Sequence, residues 1–263
     1  MRPVLTRAHP IAAAHRGSRI LWPENTMPAF QGAVDLGVHF LETDLHATND
    51  GHLVTFHDPT LDRCTDGLGD IADWSLGDLR TLDAGANFEG EGDFPFRGRG
   101  VGIPTLEEVL TAFPDVGLVL DIKAEGVEPL LADLLTRRHA EDRVIVGSFS
   151  DRRLARFRRL TGGAVATSSA SLESLKVKVR SLVRLPARTT ADAFQVPTSA
   201  GMVTVVDAAF VDAAHAAGKH VHVWTINERA EMVRLLDLGV DGIVTDRPDT
   251  LMEVLAERGG GEG

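Results

Sequence analysis

The sequence has almost no cysteine, since Cys64 is the only one among its 263 residues. A single thiol cannot close an intramolecular disulfide, and it cannot supply the set of thiolates that holds a structural zinc ion. We therefore expect neither a disulfide framework nor a thiolate metal site, and we assign Cys64 no functional role.

Long apolar runs are also missing. No segment approaches the roughly 18 consecutive apolar residues of a membrane span. The N-terminal MRPVLTRAHP lacks the apolar stretch of about 7–15 residues that marks a signal peptide. These absences lead us to expect a cytoplasmic location without stable membrane insertion.

Positive charge is scarce, because 27 Lys and Arg stand against 38 Asp and Glu, for a formal net charge of −11. Such a chain repels nucleic-acid backbones and anionic membranes on average, so we expect no nucleic-acid partner. An anionic substrate would need a local positive site. The arginine-rich DRRLARFRRL at 151–160 could be a membrane-surface patch, but the spacing of Leu154 and Phe157 favours a barrel helix with solvated arginines.

Strand-like apolar runs alternate with amphipathic, helix-like segments along the chain, a pattern typical of a parallel sheet with crossover helices. Eight strands are predicted, at Ile11–Ala14, Phe40–Leu45, Gly117–Ile122, Arg143–Gly147, Ala164–Thr167, Ala193–Val196, His220–Trp224 and Gly242–Thr245. Helices are predicted at Pro28–Leu36, Leu106–Phe113, Val127–Arg137, Ser171–Val183, Asp207–Ala217 and Ala230–Leu238. We therefore predict an α/β protein, a TIM (β/α)8 barrel, with a single domain over residues 1–263.

Two segments depart from the alternation. TNDGHLVTFHDP, which follows the second strand, has an Asn-Asp-Gly turn and then an alternating run, which predicts a hairpin at the barrel mouth. Residues 59–101 have no sustained apolar run, and we interpret them as an insertion at the C-terminal rim that lines the pocket for the substrate's alcohol. We expect the C-terminal RGGGEG to be frayed.

Polar residues cluster where the predicted strands end, and the C-terminal ends of barrel strands meet at one rim. The residues are His15 and Arg16, Glu42 and Asp44, His57 and Asp58, Asp121 and Lys123, and Trp224. This convergence predicts an active site at that rim.

Three carboxylates in this group indicate a metal site. Glu42 and Asp44 are two residues apart on one strand, so both point to the same face, and two carboxylates turned into a barrel repel each other unless a cation lies between them. Asp121 would complete an all-oxygen site for Mg²⁺, Ca²⁺ or Mn²⁺ rather than zinc. The alternative is that Glu42 and Asp44 are solvated strand ends.

The histidines and cations of the group fit phosphoester chemistry. His15 and His57 have side chains suited to proton transfer in both directions near neutral pH. Arg16 and Lys123 would provide the local positive charge that an anionic substrate needs, and phosphate is the natural ligand. Lys123 could instead serve only to neutralise Asp121 or Glu125.

Several short motifs resemble those of the glycerophosphodiester phosphodiesterases. They are HRG at 15–17, ENT at 24–26, ETDLHATNDGHLVTFHD at 42–58, LDRCTDGLG, IPTLEEVL, LDIKAE, SFS, VHVWTIN and GIVTDRP, over about Ala12 to Pro248. The motifs are weak singly and specific together. The resemblance implies a TIM barrel with a small insertion after the HD motif.

The resemblance also implies roles for the residues at the strand ends. It implies one divalent cation, Mg²⁺ or Ca²⁺ with Mn²⁺ also compatible, on Glu42, Asp44 and Asp121. It implies His15 and His57 as the acid–base pair, Arg16 and Lys123 as phosphate ligands, and Glu24 and Asn25 as residues that bind or orient groups at the edge. Trp224 would form an apolar wall near the substrate or else cap the barrel core. Similar proteins mostly have Glu where this chain has Asp121.

The function expected from the resemblance is metal-dependent hydrolysis of a small-molecule glycerophosphodiester to sn-glycerol 3-phosphate and an alcohol. Lysophospholipase D activity at the same centre is an alternative, disfavoured by the lack of an obvious amphipathic anchor in the sequence. A non-catalytic barrel that binds a phosphorylated ligand is a second alternative, disfavoured by the two histidines. The sequence leaves the alcohol head group and the oligomeric state open.

Overall fold

The computed structural model describes residues 2–90 and 92–259. The strands are β1 (Ile11–His15), β2 (Phe40–Ala47), β3 (Leu53–Thr55), β4 (Gly117–Ile122), β5 (Val144–Gly147), β6 (Ala166–Thr167), β7 (Ala193–Pro197), β8 (Ser199–Ala200), β9 (Val203–Thr204), β10 (His220–Trp224) and β11 (Gly242–Thr245). The α-helices are α1 (Met27–Asp35), α2 (Leu76–Leu79), α3 (Leu106–Ala112), α4 (Val127–Arg137), α5 (Asp151–Leu160), α6 (Ser171–Leu182), α7 (Ala208–His215), α8 (Arg229–Asp237) and α9 (Pro248–Gly259).

Eight parallel strands form a nearly closed barrel, in the order β6-β5-β4-β2-β1-β11-β10-β7. A single bridge between Ser168 and Ala193 joins the two ends of this row. Helices connect the strands on the outside, so the predicted (β/α)8 fold is confirmed. Among the helices in the described ranges, none is long and apolar enough to cross a membrane.

Side-chain alternation explains what fills the barrel. Its interior core consists of Val4, Leu5, Ile11, Ala13, Phe40, Val119, Ile145, Ala166, Ala193 and Val244. Because successive strand residues face opposite sides, His15 shares the inward face of β1 with Ile11 and Ala13. The same alternation turns Glu42 and Asp44 inward from β2, above Phe40. These polar side chains therefore lie between the apolar core of the barrel and its C-terminal rim.

The rim insertion has an apolar core of its own. The predicted hairpin is confirmed, with β3 antiparallel to β2 and Thr55 opposite Leu45. Apolar side chains of the insertion pack on this hairpin and form a separate cluster, which consists of Val54, Phe56, Leu61, Ile71, Leu79, Ala84, Val101 and Ile103. The insertion is therefore a small folded layer beside the barrel.

The structure differs from the predicted elements at several boundaries and contains helices that were not predicted, among them α2 and α9. Arg143 belongs to a short 3-10 turn before β5, and β6 begins at Ala166 rather than Ala164. A hairpin of β8 and β9 follows β7 and was not predicted, because its strands have only two residues each. The expected frayed tail is helical through Gly259, with Arg258 paired to Asp237, and its residues 260–263 lie outside the described ranges.

Candidate active site

A cavity of about 800 Å³ opens at the C-terminal rim of the barrel. One side of it comes from β1, β2 and β4 and is polar. The residues there are His15, Arg16, Arg19, Glu42, Asp44, His57, Asp121 and Lys123. The facing side comes from the segments after β5, β6 and β7 and from β10, and it is mostly apolar. The structure thus brings eight of the ten predicted site residues, Trp224 included, into one cavity.

The loop after β1 is held in an unusual backbone conformation. Arg16, Ser18 and Asn25 all have positive φ values, of 54°, 99° and 56°, which non-glycine residues rarely adopt. Gly17 has φ 77°, and a Cβ added there would lie 2.8 Å from Ala29. Such strain persists where the surrounding structure fixes it, commonly at functional sites. The HRG motif therefore needs its glycine for close packing against α1.

His15 is oriented by a buried carboxylate. Its Nδ1 lies 2.7 Å from Asp246 Oδ1, and its Nε2 faces Glu42 Oε2 at 4.0 Å. An ionised carboxylate can only accept a hydrogen bond, so this contact places the proton of neutral His15 on Nδ1. Nε2 is then the unprotonated nitrogen and faces the cavity. Burial lowers the pKa of His15, but the hydrogen bond to Asp246 and the charge of Glu42 outweigh it, and the net pKa is raised.

His57 has a matching arrangement on the other side of the polar group. Its Nδ1 lies 2.6 Å from Asp58 Oδ1, and Arg63 Nε donates to Asp58 Oδ2 at 2.6 Å. Arg63 also donates to both carboxylate oxygens of Glu24, at 2.8 and 2.9 Å. Burial would raise the pKa of Asp58, but its bonds to Arg63 and His57 lower it to about 2. The Nδ1 atom of each imidazole thus forms a hydrogen bond with an ionised carboxylate.

Glu42 and Asp44 are buried side by side and differ in their balance of charge. Burial and the nearby charge of Asp44 raise the pKa of Glu42 to about 7. Burial would also raise the pKa of Asp44, but the charges of Lys123 and Arg16 outweigh it and lower the pKa. Two buried carboxylates of this kind favour a cation between them. They are not solvated strand ends, since Glu42 is 8% and Asp44 1% exposed.

The two predicted cations contact Asp44. Lys123 Nζ lies 2.9 Å from Asp44 Oδ1 and 2.6 Å from Asp121 Oδ2, so it bridges strands β2 and β4. Arg16 Nε lies 3.2 Å from Asp44 Oδ2, yet among the described residues it has no partner in hydrogen-bonding geometry. Burial lowers the pKa of Lys123, but the charges of Asp121 and Asp44 raise it overall, so the ammonium stays protonated.

Glu24 and Asn25 lie behind the polar group rather than along the cavity. Glu24 Oε1 accepts from Arg16 at 3.0 Å, and Asn25 Nδ2 donates to Asp44 at 3.1 Å. Asn25 is in turn held by Thr43, whose hydroxyl donates to its side-chain oxygen at 2.7 Å. In this structure Glu24 contacts Arg16 and Asn25 contacts Asp44, and the role that the resemblance implies for them, to bind or orient groups at the edge of the substrate, stays a prediction.

Trp224 belongs both to the cavity wall and to the barrel core. Its ring stands edge-on to Phe149, with centroids 5.7 Å apart, and it packs against the interior core of the barrel. Lys123 Nζ lies 5.5 Å from the centre of the Phe149 ring. The two interpretations of Trp224, as a substrate wall and as a core cap, therefore describe the same position.

The described part of the insertion at 59–101 lies outside the cavity wall, contrary to the expectation from the sequence. Within the described ranges, no residue of 59–101 lines the cavity. The facing wall comes from the segment after β6, from β7 and its hairpin, and from Phe149. The insertion does not reach the cavity wall because its apolar side chains pack with the β2–β3 hairpin in their own cluster.

Asp246 is the residue that the sequence analysis missed. It directly follows β11, in the GIVTDRP motif, and shares the inward face of that strand with Val244. Its carboxylate also accepts from Arg19 and Asn227, each at 3.0 Å. The strand-end rule used for the other residues would have found it, had the rule been applied to the last strand as well.

The fold and this cavity together define a (β/α)8-barrel enzyme whose rim gathers two carboxylate-oriented imidazoles, three carboxylates and two cations. Comparisons with known proteins identify its relatives. The model of the glycerophosphoryl diester phosphodiesterase family matches residues 15–250. A probable glycerophosphodiester phosphodiesterase 2 of Mycobacterium tuberculosis is 40% identical, with 96% of this chain and 93% of that protein covered.

Another relative, a glycerophosphodiester phosphodiesterase of Caldanaerobacter subterraneus, is 31% identical over 95% of this chain and 99% of its own. A solved phosphodiesterase of Oleispira antarctica, in complex with the product sn-glycerol-3-phosphate, has a TM-score of 0.78 and 27% identity, covering 94% of this chain and 97% of that one. The chain therefore belongs to the glycerophosphoryl diester phosphodiesterase family, which makes it an enzyme of phosphodiester hydrolysis.

Proposed function

We propose that the protein hydrolyses glycerophosphodiesters to sn-glycerol 3-phosphate and an alcohol, in a metal-dependent reaction with His15 and His57 as the acid–base pair. The observation that carries the proposal is the pair of imidazoles, each held at Nδ1 by a carboxylate, in the same cavity as buried carboxylates and fixed cations. The product bound by the Oleispira antarctica relative supports the same substrate class.

Arg16 and Lys123 are the proposed phosphate ligands. A guanidinium matches two phosphate oxygens at once, and an ammonium provides a compact positive charge. Arg16 Nε is buried and finds no hydrogen-bond partner in the part of the chain that the structure describes, and both cations contact Asp44 in the cavity lining. The pairing of Lys123 with Asp121 is compatible with this role, because it fixes the ammonium where a phosphate would meet it.

The donor set fits a hard divalent cation. Glu42 and Asp44 turn into the barrel next to each other, and Asp121 stands opposite Asp44 in the register of β2 and β4. Within the described ranges, no group of three or more such side chains is already arranged around a metal position, because Lys123 lies between Asp44 and Asp121. We propose Glu42 and Asp44 as the stronger ligands, with Asp121 weaker or bound through water.

A bound Mg²⁺, Ca²⁺ or Mn²⁺ would offset negative charge that grows on the phosphoryl oxygens. The protein's own residues carry the proton transfers. A neighbouring glycerol hydroxyl attacks phosphorus and gives its proton to one imidazole, while the other imidazole protonates the alcohol whose bond to phosphorus breaks. Water then opens the resulting cyclic phosphate with the two roles reversed, which restores both histidines.

Alanine variants test the two histidines. We expect His15→Ala and His57→Ala to lose kcat by roughly 10²–10⁴-fold, the usual size of a general acid–base contribution, while staying folded. His52→Ala is the matched control, because His52 lies on the exposed turn of the β2–β3 hairpin. A His57→Ala enzyme with near-normal turnover would refute the assignment.

The leaving group separates the two roles. A substrate with a very acidic alcohol needs little protonation as its bond breaks, so it should rescue only the variant that lacks the general acid. Rescue of both variants, or of neither, would contradict the division into one acid and one base.

A further inference from the structure

Helix α6 is apolar on the side that faces solvent. Within the described ranges, 14 large apolar side chains are strongly exposed, and eight of them lie between residues 172 and 203. The four on the helix recur at spacings of three and four residues, which places them in one stripe. They are Leu172, Leu175, Val179 and Leu182, each more than half exposed. Exposed apolar patches of this kind mark interaction surfaces.

The stripe continues onto the β8–β9 hairpin and into the cavity. Met202 at the hairpin tip is fully exposed, and Val203 beside it is 56% exposed. Leu175 and Val203 also line the active-site cavity. The solvent-facing apolar surface and the apolar wall of the cavity are therefore one continuous surface, which we call the docking face (Leu172, Leu175, Val179, Leu182, Met202 and Val203).

The charge around the docking face is opposite to that of the whole protein. Residues 171–190 contain five Lys or Arg and one acidic residue, a formal charge of +4, in a chain whose net charge is −11. The acid, Glu173, is engaged by Arg158, and Lys178 is engaged by Asp207. Lys176, which follows Leu175 in α6, and Arg188, six residues after the helix ends, are exposed. Exposed apolar residues flanked by basic ones are typical of helices that bind the interface of anionic membranes.

We propose that the docking face binds the surface of an anionic lipid membrane. This binding is independent of the hydrolysis reaction. The sequence analysis found no obvious amphipathic anchor, whereas α6 presents four of its five apolar residues to solvent and buries only Val177.

Vesicle binding tests the docking. We expect the protein to cosediment with vesicles that contain phosphatidylglycerol and much less with phosphatidylcholine alone. The variant Val179→Ser/Leu182→Ser/Met202→Ser, at positions outside the cavity, should bind roughly 100-fold more weakly, because each inserted side chain contributes about tenfold or less when partly buried. Lys176→Glu/Arg188→Glu should bind at least about tenfold more weakly, since each basic residue near the surface contributes roughly fivefold.

The matched control removes the same number of exposed apolar side chains elsewhere. Leu36→Ser/Leu68→Ser/Leu160→Ser should bind vesicles as the wild type does. Equal loss in this control, or no binding of the wild type to either vesicle, would overturn the proposal. Sedimentation velocity gives a third test, because a dimer that dissociates in the Val179/Leu182/Met202 variant would make the docking face an interface between copies of the chain.

Discussion

Asp246 provides the sharpest test of how the barrel prepares its histidines. The change is Asp246→Asn, which keeps the size of the side chain. Oδ1 of Asp246 meets His15, while Oδ2 accepts from Arg19 and Asn227. The amide of Asn has an oxygen that accepts hydrogen bonds and an NH₂ group that only donates them. The NH₂ group must therefore face either the Nδ1–H of His15 or the donors of Arg19 and Asn227. If its NH₂ group faces His15, the imidazole proton moves to Nε2, and the nitrogen in the cavity can no longer accept a proton.

The expected effect on catalysis is a loss of roughly 10²–10⁴-fold in kcat, the range for a misoriented or wrongly protonated acid–base residue. The direction of the pH effect follows from the charges. Asp246 helps to raise the pKa of His15, so its neutralisation lowers that pKa, and the limb of the pH–rate profile that reports His15 moves to lower pH. The assay is the pH dependence of kcat and kcat/KM on a soluble glycerophosphodiester.

The expected effect on stability is about 2 kcal/mol. Burial would raise the pKa of Asp246, but its bond to His15 and its other contacts lower it from 3.8 to about 2, and each unit corresponds to about 1.4 kcal/mol. Because the folded pKa is depressed, this stability is present above pH 3.8 and is lost as the pH falls toward 2. The difference in unfolding free energy between wild type and variant should therefore shrink over that interval.

Asp241→Asn is the matched control. Asp241 precedes β11 at the other end of the same strand and contacts His215 at 2.8 Å. It should change stability without altering kcat or the pH–rate profile. Wild-type kcat and an unshifted profile in Asp246→Asn would refute the claim that this carboxylate orients His15.

Three further predictions concern the metal site, the insertion and the HRG loop. In metal titrations, Asp121→Ala should weaken the affinity for the divalent cation less than Glu42→Ala does, and Asp121→Glu should retain or strengthen that affinity. Unchanged metal affinity in Glu42→Ala would contradict the metal site. Replacement of residues 59–101 by a short linker should leave a folded barrel with unaltered preference among alcohols, measured on a substrate panel, since none of the described insertion residues lines the cavity. Gly17→Ala should reduce the unfolding free energy in urea by roughly 2–4 kcal/mol, because φ is positive and the added Cβ meets Ala29; a loss below about 1 kcal/mol would show that the loop relaxes.

The strand-end residues could be predicted because side chains alternate along a strand and the C-terminal ends of barrel strands meet at one rim. The inward-facing positions of each strand fill the core, and the next inward-facing positions toward the rim hold His15, Glu42, Asp44 and Asp121. The same alternation therefore points the site residues into the cavity. The shape of the first loop was less accessible. Its positive φ values depend on close packing against α1, which the spacing of residues along the chain does not reveal.

The mostly apolar wall of the cavity could not be predicted for a different reason. It is built by side chains from three separate βα segments, and their meeting depends on which way each loop folds back over the rim. Helix α6 shows the same limit. Its apolar period was recognised as helical, but a period gives the existence of an apolar face and not whether that face meets the barrel or solvent.

The most direct test of the central claim is the release of sn-glycerol 3-phosphate from a panel of glycerophosphodiesters, with and without a chelator. The account predicts release by the wild type, its loss after chelation, and its recovery when Mg²⁺, Ca²⁺ or Mn²⁺ is restored in excess. Release that chelation leaves unchanged would contradict the metal dependence. Release from no member of the panel, by protein that still binds glycerol phosphate, would contradict the hydrolytic function and favour a barrel that only binds a phosphorylated ligand.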